Sequence, residues 1–178
     1  MNAPARNLGW MAAASALVGL SIPGCGTAQD LSMDSLKLVA REVMEAANYA
    51  ALITVDAEGH PRARVMDPFP PEEDMSVWMA TNPLSRKVEQ IQADDRVTLY
   101  YFDDVGLGYV TLMGTARLVD DPAEKARRWK PGWEAFYPDR DSSYLLIEIR
   151  PHRMEVISVK HGLDGDPATW TPQGRDMP

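Results

Sequence analysis

The stretch YAALITVDAEGHPRARVM, Tyr49 to Met66, decides the fold class of this chain. Tyr49–Val55 is a short apolar run rich in β-forming residues. Asp56-Ala57-Glu58-Gly59 is turn chemistry, with Gly59 free to take a positive φ. Pro61–Met66 resumes as a second extended run. Its alternation puts Arg62 and Arg64 on one face and Ala63 and Val65 on the other. Two such runs joined by so short a link make an antiparallel hairpin.

Upstream, from Leu31 to Ala50, apolar residues recur at Met33, Leu36, Val39, Ala40, Val43, Met44 and Ala47. That spacing predicts an amphipathic helix, which Asp34 and Ser35 are placed to cap. Downstream, residues 67–74 are a proline- and acid-rich loop, and Met75–Thr81 reads as a third strand. Asn82-Pro83 opens a helix to about Ala93 that buries Val88 and Ile91, with Asn82 as its cap. Arg96–Phe102 and Tyr109–Val119 follow as strands, with Gly114 marking a bulge or a close approach. Asp120-Asp121-Pro122 starts a helix to about Trp129, and Pro131–Tyr137 is a further helical turn. The last strands are expected at Tyr144–Ile149 and Met154–Val159, separated by Arg150-Pro151-His152. Most links between strands are too short for a crossover helix, so a doubly wound parallel sheet is excluded. The pattern specifies a mainly β, α+β architecture: a six- to seven-stranded antiparallel barrel with covering helices.

The chain of 178 residues reads as one domain with terminal extensions. Residues 1–28 have the layout of a secretory signal: one early cation, Arg6, the apolar run Met11–Ile22, and then small residues. The lone cysteine, Cys25, lies in Ile22-Pro23-Gly24-Cys25. This resembles a lipoprotein box and offers a lipid anchor, while cleavage after Ala28 is the alternative. The expectation is an exported protein, in the periplasm or membrane-anchored in the envelope. The domain then spans residues 29–160, and residues 161–178, rich in Gly, Asp and Pro, read as a tail. The formal net charge of -8 argues against nucleic acid as a partner, because phosphate backbones demand a basic surface.

An acidic chain that binds an anion must do so through a local cluster of cations. The candidate is Thr81-Asn82-Pro83-Leu84-Ser85-Arg86-Lys87, where a strand end meets a helix start. The free N–H groups and positive dipole end of the helix favour an anion there. Ser85 adds a hydroxyl, Arg86 a planar fork and Lys87 a point charge. Arg64 on the preceding strand is the second source of positive charge. His60, His152 and His161 are scattered with no ligand spacing, so no metal site is expected. Trp129, Trp133, Phe136 and Tyr137 suit either an aromatic lid or simple packing.

These residues carry a resemblance. Gly59-x-Pro61-x-x-Arg64-Val65-Met66, Thr81-Asn82-x-x-Ser85-Arg86-Lys87-x-x-Gln90-Ile91, Arg96-Val97-x-Leu99 and Val110-x-x-x-Gly114-x-Ala116-x-Leu118 are similar, in order and spacing, to the FMN-binding split barrels of the pyridoxamine 5'-phosphate oxidase superfamily. Trp129–Pro138 followed by Tyr144–Ile149 resembles the general stress protein 26 branch. The resemblance implies a split β-barrel and a homodimer with FMN in the interface. It implies that Arg64, Ser85, Arg86 and Lys87 surround the FMN phosphate, with Val65, Met66, Ala80 and Thr81 near the flavin ring. Tyr109 stands where the oxidases place a cofactor-contacting glutamine from the partner chain. The C-terminal Arg/His motif that holds pyridoxal phosphate in the oxidases is missing here, so vitamin B6 oxidation is not expected. The implied activity is a flavin-dependent oxidoreductase acting on an undefined small-molecule or redox substrate, with no catalytic side chain assigned. The alternatives are a non-enzymatic flavin carrier or sensor, or a barrel that binds F420 or haem.

Overall fold

A computed structural model describes residues 31–178; the expected signal segment and Cys25 lie outside the described residues. Helix α1 (Met33–Ala47) starts at Ser32, whose hydroxyl accepts from the Ser35 N–H. The cap is therefore Ser32, two and three residues earlier than Asp34 and Ser35 suggested. Leu36, Ala40, Val43 and Met44 form its buried stripe. The strands are β1 (Ala50–Val55), β2 (Pro61–Met66), β3 (Val77–Thr81), β4 (Arg96–Asp103), β5 (Gly108–Val119), β6 (Leu145–Ser158) and β7 (Gln173–Asp176). Helix α2 (Arg86–Ala93) links β3 to β4, and α3 (Pro122–Arg127) and a 3-10 turn (Trp133–Ala135) link β5 to β6.

The sheet runs β2-β1-β4-β5-β6-β3, with β7 on β6, and every pairing is antiparallel. Its two ends meet where Pro68, just past β2, bridges Met79 of β3 and the Phe69 N–H donates to the Trp78 carbonyl at 2.8 Å. That contact closes the sheet into a barrel. Leu52, Val77, Met79, Leu99, Val110, Leu112, Ile147 and Ile149 fill the interior, and α1 plugs one end.

Two expectations at the C-terminal end are corrected. Arg150-Pro151-His152 does not break the last strand, because β6 is continuous from Leu145 to Ser158. Pro151 sits opposite Gly114, at the register shift between Met113 and Gly114. A bulge is one of the few places a sheet tolerates a residue with no N–H to donate. Residues 161–178 are not a loose tail either, since Gln173–Asp176 pairs with Arg153–Val156 as β7. A short polar strand with two charges and a glycine carries no alternating apolar pattern that would have marked it.

Strand β3 and the first five residues of β6, Leu145–Ile149, are buried on both faces. Their second face carries Trp78, Ala80, Tyr144 and Leu146 against Trp133 and Val119. This satellite core anchors the connection between β5 and β6 beside the end of β3, where the candidate site begins.

Candidate functional site

The β1–β2 register pairs Leu52 with Arg64. The Arg64 guanidinium reaches across to three neutral acceptors. Nη1 donates to the Leu52 carbonyl at 3.1 Å and to Thr54 Oγ1 at 2.7 Å, and Nη2 donates to Gln90 Oε1 at 2.9 Å. The Thr54 hydroxyl, fully buried, donates to the same Gln90 oxygen at 2.6 Å. Arg64 is thus held in one orientation with no carboxylate to neutralise it.

Across the strand–helix junction, Lys87 Nζ donates to Thr81 Oγ1 at 3.0 Å, and the Thr81 and Ser85 hydroxyls share a 3.0 Å hydrogen bond. Asn82 does not cap α2. Its side-chain oxygen accepts from the Leu84 N–H at 2.8 Å, a local turn that spends Pro83 and Leu84 before the helix begins. Ser85 takes the cap position, but its hydroxyl makes no cap hydrogen bond because it faces Thr81. The first N–H groups of α2 are left available, as an anion-binding helix start requires.

Desolvation lowers the Lys87 pKa, and the Arg64 charge lowers it further. Desolvation likewise depresses Arg64, with Arg86 as the second cause. Among the described residues, none of Arg64, Arg86 and Lys87 forms an ion pair with a carboxylate. Their neighbour Arg62, by contrast, is paired with Asp56 at 2.6 Å. In a chain of net charge -8, cations coupled to one another and left without an ion-paired carboxylate are what an anion site requires.

Thr81 and Lys87 also belong to the wall of a cavity of about 490 Å³. Val65, Met66, Ala80 and Asn82 line the barrel side, Trp133, Phe136 and Tyr137 the opposite side, and Tyr49 and Asp67 complete it. Val65 and Phe136 are each 73% exposed. The wall joins apolar and aromatic residues with the Lys87 ammonium and the Asp67 carboxylate, which suits a flat ring system carrying polar groups. The aromatic cluster divides its roles. Trp129, Trp133, Tyr137 and Tyr144 pack edge-on or tilted at centroid distances of 5.1–6.3 Å. Phe136, and the open sides of Trp133 and Tyr137, face the cavity.

Of the residues singled out in the sequence, Val65, Met66, Ala80, Thr81 and Lys87 line this cavity, and the Ser85 hydroxyl is hydrogen-bonded to Thr81 of its wall. Arg64 is outside the lining but electrostatically coupled to Lys87 and to Arg86, and Arg86 lines a neighbouring pocket with Asp56, Glu58 and Glu89. Tyr109 does not join them within one chain. It lies on the outer face of β5, tilted against Tyr100 at 5.5 Å. Thr54 and Gln90, which hold Arg64, were not singled out in the sequence as candidate site residues. Gln90 stands in the quoted motif, but only the register of β1 and β2 shows what it holds. Among the described residues, the only candidate metal-ligand set is Asp56, Glu58 and His60 at the β1–β2 turn. Asp56 there already accepts from Arg62 and from the His60 N–H.

Residues 36–158 match the family model described as pyridoxamine 5'-phosphate oxidase. The chain belongs to this family. No curated protein sequence matches it. Among solved structures, the family member is similar to a Clostridium acetobutylicum protein related to general stress protein 26 of B. subtilis. That match has a TM-score of 0.64 at 22% identity, over 71% of this chain and 91% of that one. It is also similar to a pyridoxamine 5'-phosphate oxidase-related, FMN-binding protein of Nostoc punctiforme, with a TM-score of 0.54 at 16% identity over 82% and 94% of the two chains. A haem-binding protein of Mycobacterium smegmatis matches with a TM-score of 0.54 at 17% identity, over 66% and 52%. At these identities the likenesses establish the fold alone.

Proposed function

We propose that this family member binds FMN and acts as a flavin-dependent oxidoreductase. The observation that carries the reading is Lys87 in the wall of a cavity with aromatic residues, electrostatically coupled to Arg64 and through it to Arg86, with no carboxylate ion-paired to any of the three. FMN is a flat heteroaromatic ring joined to a phosphate, and each end matches its surroundings. Arg64, Arg86, Lys87, Ser85 and the first N–H groups of α2 would hold the phosphate, each charge-assisted bond contributing roughly 1.5–3 kcal/mol. Val65, Met66, Ala80 and Thr81 would border the ring. Bound flavin supplies hydride and electron transfer, and the protein supplies orientation and exclusion of water. No described side chain in the cavity stands out as a general acid or base, so none is assigned a catalytic role.

Haem fits the site less well, because no histidine lines the cavity. His161 is bonded to Ser158 and Glu42, and His60 to Asp56. F420 would require further cations along its acidic tail, and the cationic end here stops at three.

The reading includes a homodimer. The outer face of β2-β1-β4-β5 presents Val65, Tyr100, Phe102 and Tyr109 in register, and Val65 and Phe102 are exposed. A second copy covering that face would bring its Tyr109 toward the exposed Val65 side of the cavity. The proposal includes export to the cell envelope, with Cys25 as the residue that would carry a lipid anchor.

The test is a titration of the apoprotein with FMN and with riboflavin, followed by anaerobic addition of NAD(P)H. FMN is expected to bind far more tightly than riboflavin, and the combination Arg64→Ala with Lys87→Ala is expected to erase the difference. Equal affinity for the two flavins in the unaltered protein would refute the phosphate site. Bleaching under NAD(P)H separates an enzyme from a carrier.

A further inference from the structure

The pocket that Arg86 lines has a volume of about 340 Å³ and adjoins the first turn of α2. Arg86 and Lys87 are consecutive, yet Lys87 lines the aromatic cavity and Arg86 lines this one. Gln90, which accepts from Arg64 at 2.9 Å, belongs to the same pocket wall as Arg86. Arg64 is therefore bonded to a residue of one space and coupled to the Lys87 charge of the other. Together with the first turn of α2 it forms the partition between them.

The two sides of that partition differ in charge. Asp56, Glu58 and Glu89 stand in the pocket wall against Arg62 and Arg86. Arg62 is engaged with Asp56, its Nε donating at 2.6 Å. Asp56 also accepts from the N–H groups of Glu58 and His60. Among the described residues, the Glu58 and Glu89 carboxylates form no ion pair. With Asp56 and Arg62 cancelling each other, two acids face one cation, Arg86. The rest of the wall is Ala57, Gln90 and Ala93, so it offers a nucleobase no aromatic ring to stack on.

A phosphate held by Arg64, Arg86 and Lys87 stands at this partition. A terminal phosphate, as in FMN, concentrates roughly -1.5 to -2 of charge among those cations. A diphosphate, as in FAD, divides its charge between two groups. The outer group and its nucleoside then continue beyond the cations, where Glu58 and Glu89 repel the charge.

We propose that Glu58 and Glu89 set the cofactor specificity of the site, admitting a flavin that ends in a single phosphate and rejecting one extended through a diphosphate. The inference rests on the flavin reading, because it takes the phosphate to lie between the two spaces.

The test is calorimetric titration of the full-chain apoprotein with riboflavin, FMN and FAD at low salt, where exposed charges act most strongly. FMN is expected to bind at least about tenfold more tightly than FAD. Glu58→Lys combined with Glu89→Lys is expected to narrow that ratio about tenfold, and Glu58→Gln combined with Glu89→Gln to narrow it by less, since neutralisation removes repulsion without adding attraction. Both glutamates are exposed, so these variants should melt like the unaltered protein. FAD binding as tightly as FMN in the unaltered protein, with both far tighter than riboflavin, would overturn the inference and leave the phosphate site standing. A ratio unchanged in the lysine variant would overturn it too. FMN binding no tighter than riboflavin would remove the phosphate site itself, and this inference with it.

Discussion

Replacing Gln90 with glutamate alters one atom group and tests why Arg64 is surrounded by neutral acceptors. Gln90 Oε1 lies 2.9 Å from Arg64 Nη2 and 2.6 Å from Thr54 Oγ1. A glutamate keeps both contacts and adds a full negative charge behind the guanidinium. A phosphate on the far side of that guanidinium would stand roughly 6 Å from the new carboxylate. At an effective dielectric of ~20, that repulsion is about 3 kcal/mol per unit of phosphate charge. Allowing for solvent screening at this half-open site, the loss is about 2–3 kcal/mol, or ~30- to 150-fold in affinity. The apoprotein should melt no lower, because a partly desolvated cation gains a counter-charge. Gln90→Ala removes the orienting oxygen without adding charge and should cost less, about tenfold. Flavin fluorescence quenching measures the affinities, and a thermal melt measures stability. If Gln90→Glu bound FMN as tightly as the unaltered protein, Arg64 would not be reading the phosphate.

Lys87 makes the site sensitive to alkali. Desolvation, and then Arg64, hold its ammonium below its ordinary 10.5. The charged form is the penalised one in the ligand-free fold, so apoprotein stability rises with pH between that lowered pKa and 10.5, where the unfolded chain binds the extra proton. FMN affinity should fall over the same window as the cation is lost, and Lys87→Met should flatten that limb in titrations run at stepped pH. Gly114 tests the barrel. A β-carbon there would lie 2.2 Å from the Arg150 carbonyl oxygen, so Gly114→Ala must displace backbone. The expected cost is about 3 kcal/mol, seen as a melting point roughly 6–12 °C lower; an unchanged melt would mean that the β5–β6 bulge yields freely.

The sequence made the barrel legible where local chemistry and tertiary structure agree. The Asp56–Gly59 turn, the alternation along β2 and the helical stripe of α1 each fix their element within a few residues. Gly114 was readable as a close approach because few other reasons put glycine inside a long strand. Pro151 misled because its usual meaning is a strand end, and only the partner strand's bulge reveals why it is tolerated. β7 was invisible because Gln173–Asp176 has no apolar face of its own. At the site, Ser85, Arg86 and Lys87 were legible from charge and junction chemistry. The roles of Thr54 and Gln90 were not, since they depend on a register that brings β1, β2 and α2 together.

A crystal structure of the full chain soaked with FMN is the most direct test of the phosphate site. The phosphate should lie within about 2.7–3.2 Å of donors from Arg64, Arg86 and Lys87, with the flavin ring running along Val65 and Met66 toward Phe136. A phosphate bound elsewhere, with those three side chains turned out to solvent, would contradict the account.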